Sequence, residues 1–247
     1  MSTIAYLDQL AASVPGRAYK RRLRTLLDVR PGHTALDLGC GPGTDLAELA
    51  TAVGPAGSVI GLDHDLVSAD VARARLAVHP QVEIVVGDVH AIPLEDGTVD
   101  RARTDRVLQH VASPARVLAE FRRVARPGGM IAMAEPDWDG LLVDSANLAA
   151  SRTLTGFVTA QVVRNATIGR ALPRLCEAAG LEVVSVAALA PVLTDFEAAD
   201  RLLGLRRNAA RCLGEAADDW LAELSTGPFL ASCLIFLVVA RKPALTR

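Results

Sequence analysis

An α/β fold, a mostly parallel sheet with helices on both faces, is the architecture this sequence predicts. Three observations carry it. Short apolar runs alternate with helical patterns of about ten residues from position 34 onward. The first run passes directly into a glycine loop, "TALDLGCGPGTD" (34–45), and then into a helix. Breakers such as "RPG" (30–32) and "RPGG" (126–129) stand between periodic segments.

Residues 1–30 read as helical, because "YLDQLAASV" and "AYKRRLRTLLDV" repeat apolar positions three and four apart. Next come a strand at "TALDLG", a helix from Thr44 to about Val53, a strand at "SVIGLD" (58–63) and a helix from about Leu66 to Val78. "VEIVVGD" (82–88) and "VDRART" (99–104) are the third and fourth strands. A helix from about Pro114 to Ala125, a turn at "RPGG" and a strand at "MIAMAEP" (130–136) follow. The pattern loosens after Asp137. Residues 145–180 are mostly helical, "LEVVSVAAL" (181–189) is a strand, 195–225 is helical again, and an apolar strand closes the chain. No linker rich in Pro, Gly or Ser interrupts this. The expected organisation is an N-terminal helical cap or lid (1–30) on one domain (31–247), with helical insertions at about 145–168 and 195–225.

A chain of 247 residues with 51% apolar content is long enough for a substantial core. The net charge of −2 gives no electrostatic case for nucleic acid or an acidic membrane. The basic run "RAYKRRLR" (17–24) reads as a solvated helix face. Arg far outnumbers Lys, as GC-rich bacterial coding produces. The longest apolar run, "FLASCLIFLVVA" (229–240), falls short of the ~20 residues a membrane span requires. Cys40, Cys176, Cys212 and Cys233 form no metal-ligand spacing, and no secretory signal is visible. Reduced thiols in a cytoplasm, with no bound metal, are the expectation.

A strand that runs through glycines into a helix offers bare backbone to a ligand, beyond the carboxyl end of a strand. A dinucleotide would ask for G-x-G-x-x-G. Gly39, Gly41 and Gly43 give G-x-G-x-G instead, with Thr44 where the third glycine of that fingerprint belongs. Asp37 would sit badly beside a pyrophosphate and well beside an ammonium group.

"LDLGCGPG" resembles the first motif of class I S-adenosylmethionine (SAM) methyltransferases. The resemblance continues in order through "VIGLDHD" (59–65), "VVGDVHAIPLEDGTVD" (85–100), "VLQHVASPARVLAEFRRVARPGG" (107–129) and "MIAMAEPDW" (130–138). It covers roughly residues 30 to 190 and comes nearest to the ubiquinone/menaquinone-biosynthesis and natural-product subgroup. It implies a Rossmann-like, doubly wound, seven-stranded sheet whose last strand, "ASCLIFLVVARK", lies antiparallel beside strand five. It also implies SAM as cofactor. Gly39, Gly41, Gly43 and Thr44 would carry its methionine part, and Asp37 would face the ammonium. Asp63, with His64 beside it, would accept the ribose hydroxyls, as a two-oxygen acceptor can. Asp88 would take the adenine amino group and the Val89 N–H the ring, while Thr104 would line the methionine end.

Methyl transfer from a sulfonium is an in-line displacement, so alignment and exclusion of water are the protein's main tasks. A base is required only where the acceptor must lose a proton it holds firmly. His110 is the titratable candidate for that, against a packing role. Glu135 and Asp137, at the carboxyl edge after strand five, are candidates to face the acceptor, against a turn role set by Pro136. Trp138 is a candidate pocket wall, and Tyr6, Tyr19, Arg164 and Asn165 are candidate substrate or lid residues.

The reading is a cytoplasmic bacterial methyltransferase, monomer or homodimer, acting on a small molecule in secondary or quinone-type metabolism. Two alternatives stand beside it. A SAM-binding enzyme of this fold could catalyse a rearrangement or cyclisation without methylation. An NAD-dependent oxidoreductase would use the same sheet, against the glycine spacing.

Overall fold

The computed structural model describes residues 2–244. The strands are β1 (Thr34–Leu38), β2 (Ser58–Asp63), β3 (Val82–Val86), β4 (Val99–Asp105), β5 (Ala125–Val143), β6 (Glu182–Leu189), β7 (Val192–Leu193) and β8 (Ala231–Arg241). The α-helices are α1 (Thr3–Ala12), α2 (Val14–Leu27), α3 (Leu46–Val53), α4 (Leu66–Arg75), α5 (Pro114–Val124), α6 (Leu148–Phe157), α7 (Ile168–Ala178), α8 (Phe196–Leu203), α9 (Leu205–Cys212) and α10 (Ala216–Thr226). One π-helical turn, Val158–Val162, extends α6.

The strands form one sheet in the order β3-β2-β1-β4-β5-β8-β6, with β7 paired to β8. β1 to β5 run parallel, and β8 lies antiparallel between β5 and β6. This is the doubly wound arrangement anticipated, with short β7 as an eighth strand. The reversal of strand order at β1 and β4 leaves a crevice at their carboxyl ends, where ligands of open α/β sheets bind.

Local chemistry sets the helix boundaries. The Ser13 side chain accepts from the Gly16 N–H at 3.0 Å and starts α2, with Pro15 in the first turn. Asp28, at φ 51°, ends it. Tyr19, Leu23 and Leu27 form the buried stripe of α2 and pack with Leu46, Leu49 and Val53 of α3 on one face of the sheet. Phe121 of α5 and Leu172 of α7 cover the other face over Leu36 and Leu38. Each buried Leu contributes about 1.5–3 kcal/mol, and two apolar faces suit a central parallel sheet.

Two departures from the sequence expectation both concern β5. The "RPGG" stretch makes the expected turn, with Gly129 folded back onto the Arg126 backbone, but β5 begins before it, at Ala125, rather than after it. Val99 pairs with Ala125 and Arg101 with Met130, so residues 126–129 stand against Asp100 alone. Gly128 takes φ 79° there and donates to the Lys242 carbonyl at 2.8 Å. Nor does the strand end near Asp137. After a bulge at residues 138–140 it continues to Val143, pairing Leu141, Leu142 and Val143 with Cys233, Ser232 and Ala231. This extension roots a third apolar cluster, in which Leu141, Leu154, Phe196, Trp220 and Phe229 pack together, apart from the sheet's two main layers. Phe196 and Phe229 meet edge to face, with centroids 5.5 Å apart. No helix among the described residues is long and apolar enough to cross a membrane.

Candidate active site

Gly39, Gly41 and Gly43 all hold positive φ (71°, 54° and 77°), which only glycine adopts at low cost. Gly39 is also required by contact: a Cβ there would fall 2.3 Å from a Val107 methyl. The bare loop lies at the carboxyl end of β1, beside the end of β2. Asp63 braces it, accepting from the Gly41 N–H at 2.7 Å and the Asp65 N–H at 2.9 Å. Each carboxylate oxygen keeps a lone pair for a further donor. His64 is exposed, with Nδ1 3.4 Å from Asp63 Oδ1. Asp88 lies exposed after β3, and its Oδ1 accepts from the His90 N–H at 2.9 Å and His90 Nδ1 at 2.7 Å. These bonds hold its carboxyl below the usual range. The other His90 nitrogen accepts from the Ser113 N–H at 3.2 Å, so Nδ1 is the donor to Asp88. Val89 packs against the sheet's core. Thr104 is fully buried and spends its hydroxyl on the Leu38 carbonyl at 3.0 Å, which corrects its reading as a residue lining the methionine end: it ties β4 to β1. Thr44 lines a separate cleft between α2 and α3, together with Arg17, Arg24 and Glu48.

Asp37 differs most from what the resemblance implies. It is buried, and Arg103 Nε lies 3.3 Å from its Oδ1. Burial raises its carboxyl to about 6 against the pull of Arg103. Arg103, only 1% exposed, also donates to Asp45 Oδ2 at 3.0 Å and lies 3.5 Å from Asp105 Oδ2. Lys20 of α2 reaches Asp45 and, at 2.7 Å, Asp105. Arg106 Nε stands 3.5 Å from Asp105 Oδ1. Three carboxylates thus face three cations beneath the crevice. Burial opposes the Lys20 charge, but Asp105, Tyr19 and Asp45 outweigh it and hold the ammonium protonated. Burial likewise works against charge on Asp45, and Arg103 and Lys20 overcome it to keep that carboxyl far below its usual range.

Tyr19 belongs to this network. It is 1% exposed and donates to Asp105 Oδ1 at 3.1 Å, which corrects its reading as a substrate residue: it is a strut between α2 and β4. Glu135 is likewise turned inward. It accepts from the Val107, Leu108 and Gln109 N–H groups at 2.9, 2.7 and 3.2 Å, and burial pushes it up to about 8 despite those bonds. Its carboxylate shapes the turn after β4 rather than facing an acceptor. Asp137, fully buried, is held bidentately by Arg170, through Nε and through Nη2 at 2.7 Å.

The turn after β4 is also where the outer layer meets the sheet. Trp138 Nε1 donates to Gln109 Oε1 at 2.7 Å. Asn165 Nδ2 donates to the Leu108 and Val111 carbonyls at 2.8 and 2.9 Å. His110 stands on this turn, and burial of its imidazole first, then the Arg106 charge, lowers it below its ordinary pKa. Arg164 is exposed. Tyr6, on α1, accepts from Arg106 Nη1 at 3.0 Å. Sequence reasoning missed Lys20, Asp45, Arg103, Asp105 and Arg106. For Arg103 and Asp105 the signal was present in "VDRARTD" (99–105), where charges alternate along a strand that the sheet order places at the centre, and central parallel strands are ordinarily apolar throughout; Lys20, Asp45 and Arg106 lie outside it.

A glycine-lined turn braced by a carboxylate, at the switch point of a doubly wound sheet, stands where open α/β folds take nucleotide cofactors. Comparison with known proteins narrows this. Residues 36–133 match the family described as "Methyltransferase domain". An uncharacterized 37.1 kDa protein in transposon TN4556 of Streptomyces fradiae is 50% identical over 96% of this chain and 71% of its own. Demethylmenaquinone methyltransferase of Bacillus cereus is 34% identical over 121 residues, 48% of this chain, and the match spans about half (51%) of that protein. Among solved structures, a putative methyltransferase from Bacillus halodurans superposes with a TM-score of 0.66 at 18% identity, over 91% of this chain and 98% of that one. The chain belongs to the class I SAM-dependent methyltransferases. SAM is its cofactor, and the Asp63 carboxylate, which keeps lone pairs for hydroxyls, fits its ribose; the space beside Gly39, Gly41 and Gly43 is taken by Val107, Leu7, and Ala72 with Leu76.

Proposed function

We propose that the protein transfers a methyl group from SAM to a small organic acceptor in bacterial secondary or quinone-type metabolism, in the cytoplasm and without nucleic-acid or membrane partners. When bound, SAM supplies an electrophilic methyl group on a sulfonium. The chain's own residues would hold and orient it. Gly39, Gly41 and Gly43 would carry the methionine part, Asp63 the ribose with His64 alongside, and Asp88 and the Val89 N–H the adenine. Asp37 would act on the ammonium only at one remove, through the charged network. The acceptor would lie where the outer apolar layer meets the turn after β4, bounded by Trp138, with Arg164 at its rim. The observation that carries this is His110: an imidazole biased toward its neutral form by burial and by Arg106, on the turn that both Trp138 and Asn165 grip. Where the acceptor must lose a proton, His110 would take it.

The test incubates the protein with SAM and a panel of phenolic, quinone-type and amine acceptors, reading S-adenosylhomocysteine and product mass together. A product heavier by one methylene unit, lost or slowed at least ~100-fold in His110→Ala for a hydroxyl acceptor, supports the proposal. A product isomeric with its substrate would instead favour a cyclase or rearrangement. Equal rates in His110→Ala for every acceptor would remove His110 from the chemistry.

A further inference from the structure

Resting on the SAM-dependent reading, we propose that Arg106 receives the carboxylate at the methionine end of SAM, and that Tyr6 occupies this guanidinium when the cofactor is away. The charges near the glycine loop are otherwise committed. Arg103 is sealed by Asp37, Asp45 and Asp105. Lys20 is 6% exposed and divided between Asp45 and Asp105. Asp105 is shared among Lys20 at 2.7 Å, the Tyr19 hydroxyl at 3.1 Å, and Arg103 and Arg106 at 3.5 Å each, so it does not satisfy Arg106 alone. Arg103 and Arg106 both carry buried donors without a partner, but the Arg103 side chain is sealed at 1% exposure, whereas that of Arg106 keeps 13% and lies within reach of a ligand. Arg106 Nε makes no hydrogen bond although buried, and its Nη1 is spent on a neutral phenol. Buried, unsatisfied donors of a charged group cost free energy and call for an explanation.

Position and backbone point the same way. Arg106 holds φ 58°, a left-handed conformation that costs a non-glycine residue about 1–3 kcal/mol and clusters at functional sites. Its own N–H pins it to the Ala134 carbonyl at 2.8 Å. Val107, the next residue, packs over Gly39. Leu7, next to Tyr6, lies 3.0 Å from where a Cβ on Gly41 would sit. Arg106 is thus bracketed by side chains that touch the cradle. A planar guanidinium matches a carboxylate through two parallel bonds, and such charge-assisted bonds are about twice as strong as those to a neutral oxygen. A carboxylate would therefore displace the Tyr6 hydroxyl. α1 would yield readily, since none of its residues is fully buried.

The experiment titrates two ligands by calorimetry. S-Adenosylhomocysteine carries the amino-acid carboxylate, and 5′-methylthioadenosine lacks the whole amino-acid end. Arg106→Ala should weaken S-adenosylhomocysteine by roughly 10- to 100-fold, the worth of a charged hydrogen bond, and leave methylthioadenosine unchanged. Arg106→Lys, which keeps the charge and loses the fork, should fall between, and it carries the test if the alanine variant does not fold. Tyr6→Phe should bind S-adenosylhomocysteine as tightly as the parent or more tightly. Equal weakening of both ligands, or of neither, overturns the proposal, and so does a large loss on Tyr6→Phe. A folded parent protein that binds neither ligand would sink the SAM reading itself, a different result.

Discussion

Two regions of the molecule are joined by opposite means. Between α2, β1 and β4 the contact is a buried seam of charge, in which Asp37, Asp45 and Asp105 are balanced against Lys20, Arg103 and Arg106. Beyond the bulge of β5 the outer layer is held by apolar packing around Leu154, Phe196 and Trp220. Apolar packing tolerates change because its cost scales with lost volume. A buried ion network does not, because removing one member strands the others. The cofactor side is therefore built for fixed geometry, and the outer layer for variation.

The sharpest way to break this comparison is Arg103→Met. It leaves three buried carboxylates short of a cation and should cost about 3–5 kcal/mol by denaturant unfolding. A loss near zero would mean the seam is dispensable. Leu154→Ala should cost about 2–4 kcal/mol through a cavity in the outer layer, while S-adenosylhomocysteine affinity stays within error. Loss of cofactor binding in that variant would show that the two regions are not independent.

The pH dependence sharpens the contrast further. Asp37 is raised in the folded state, so that state holds the proton more tightly than the unfolded chain does. Its contribution is present below its ordinary value of 3.8 and is lost as pH rises through about 6. Asp45 and Asp105 are lowered, and their contributions are lost as pH falls below the ordinary carboxylate range. Asp37→Asn should flatten stability between about pH 4 and 6, a slope worth up to ~3 kcal/mol; an unchanged slope would place the titration elsewhere. The smallest effect is expected from Tyr19→Phe, which removes one bond to Asp105 and should cost about 1 kcal/mol.

The cofactor half was far more legible in the sequence than the rest. Gly39, Gly41 and Gly43 announce a turn by their spacing, and Asp63 announces itself by ending an apolar run, because both signals are local. Glu135 and Asp137 misled as acceptor-facing groups. Sequence shows that an acid ends a strand, but not that its oxygens are claimed by a turn some 27 residues away or by Arg170. The length of β5 was invisible for a similar reason. "DWDGLLV" has no strand period of its own across the bulge, and its partner, β8, lies about 90 residues further on. The β4 side of the charged seam was legible in principle, since alternating charges in "RARTD" contradict a central strand unless they find partners across the sheet.

The β5–β8 ribbon has one more consequence. Past Asp137 and before Leu234 these two strands run on beyond β6 with only short β7 beside them, and the segments 141–163 and 192–233 gather there around their own apolar centre. Such an arrangement works as a graft point: this layer can be exchanged between lineages, or by an engineer, with its joins at the bulge and the cofactor half left intact. A recombinant that keeps residues 2–137, 164–191 and 234–244 and borrows the rest should inherit its cofactor from one parent and its choice of acceptor from the other.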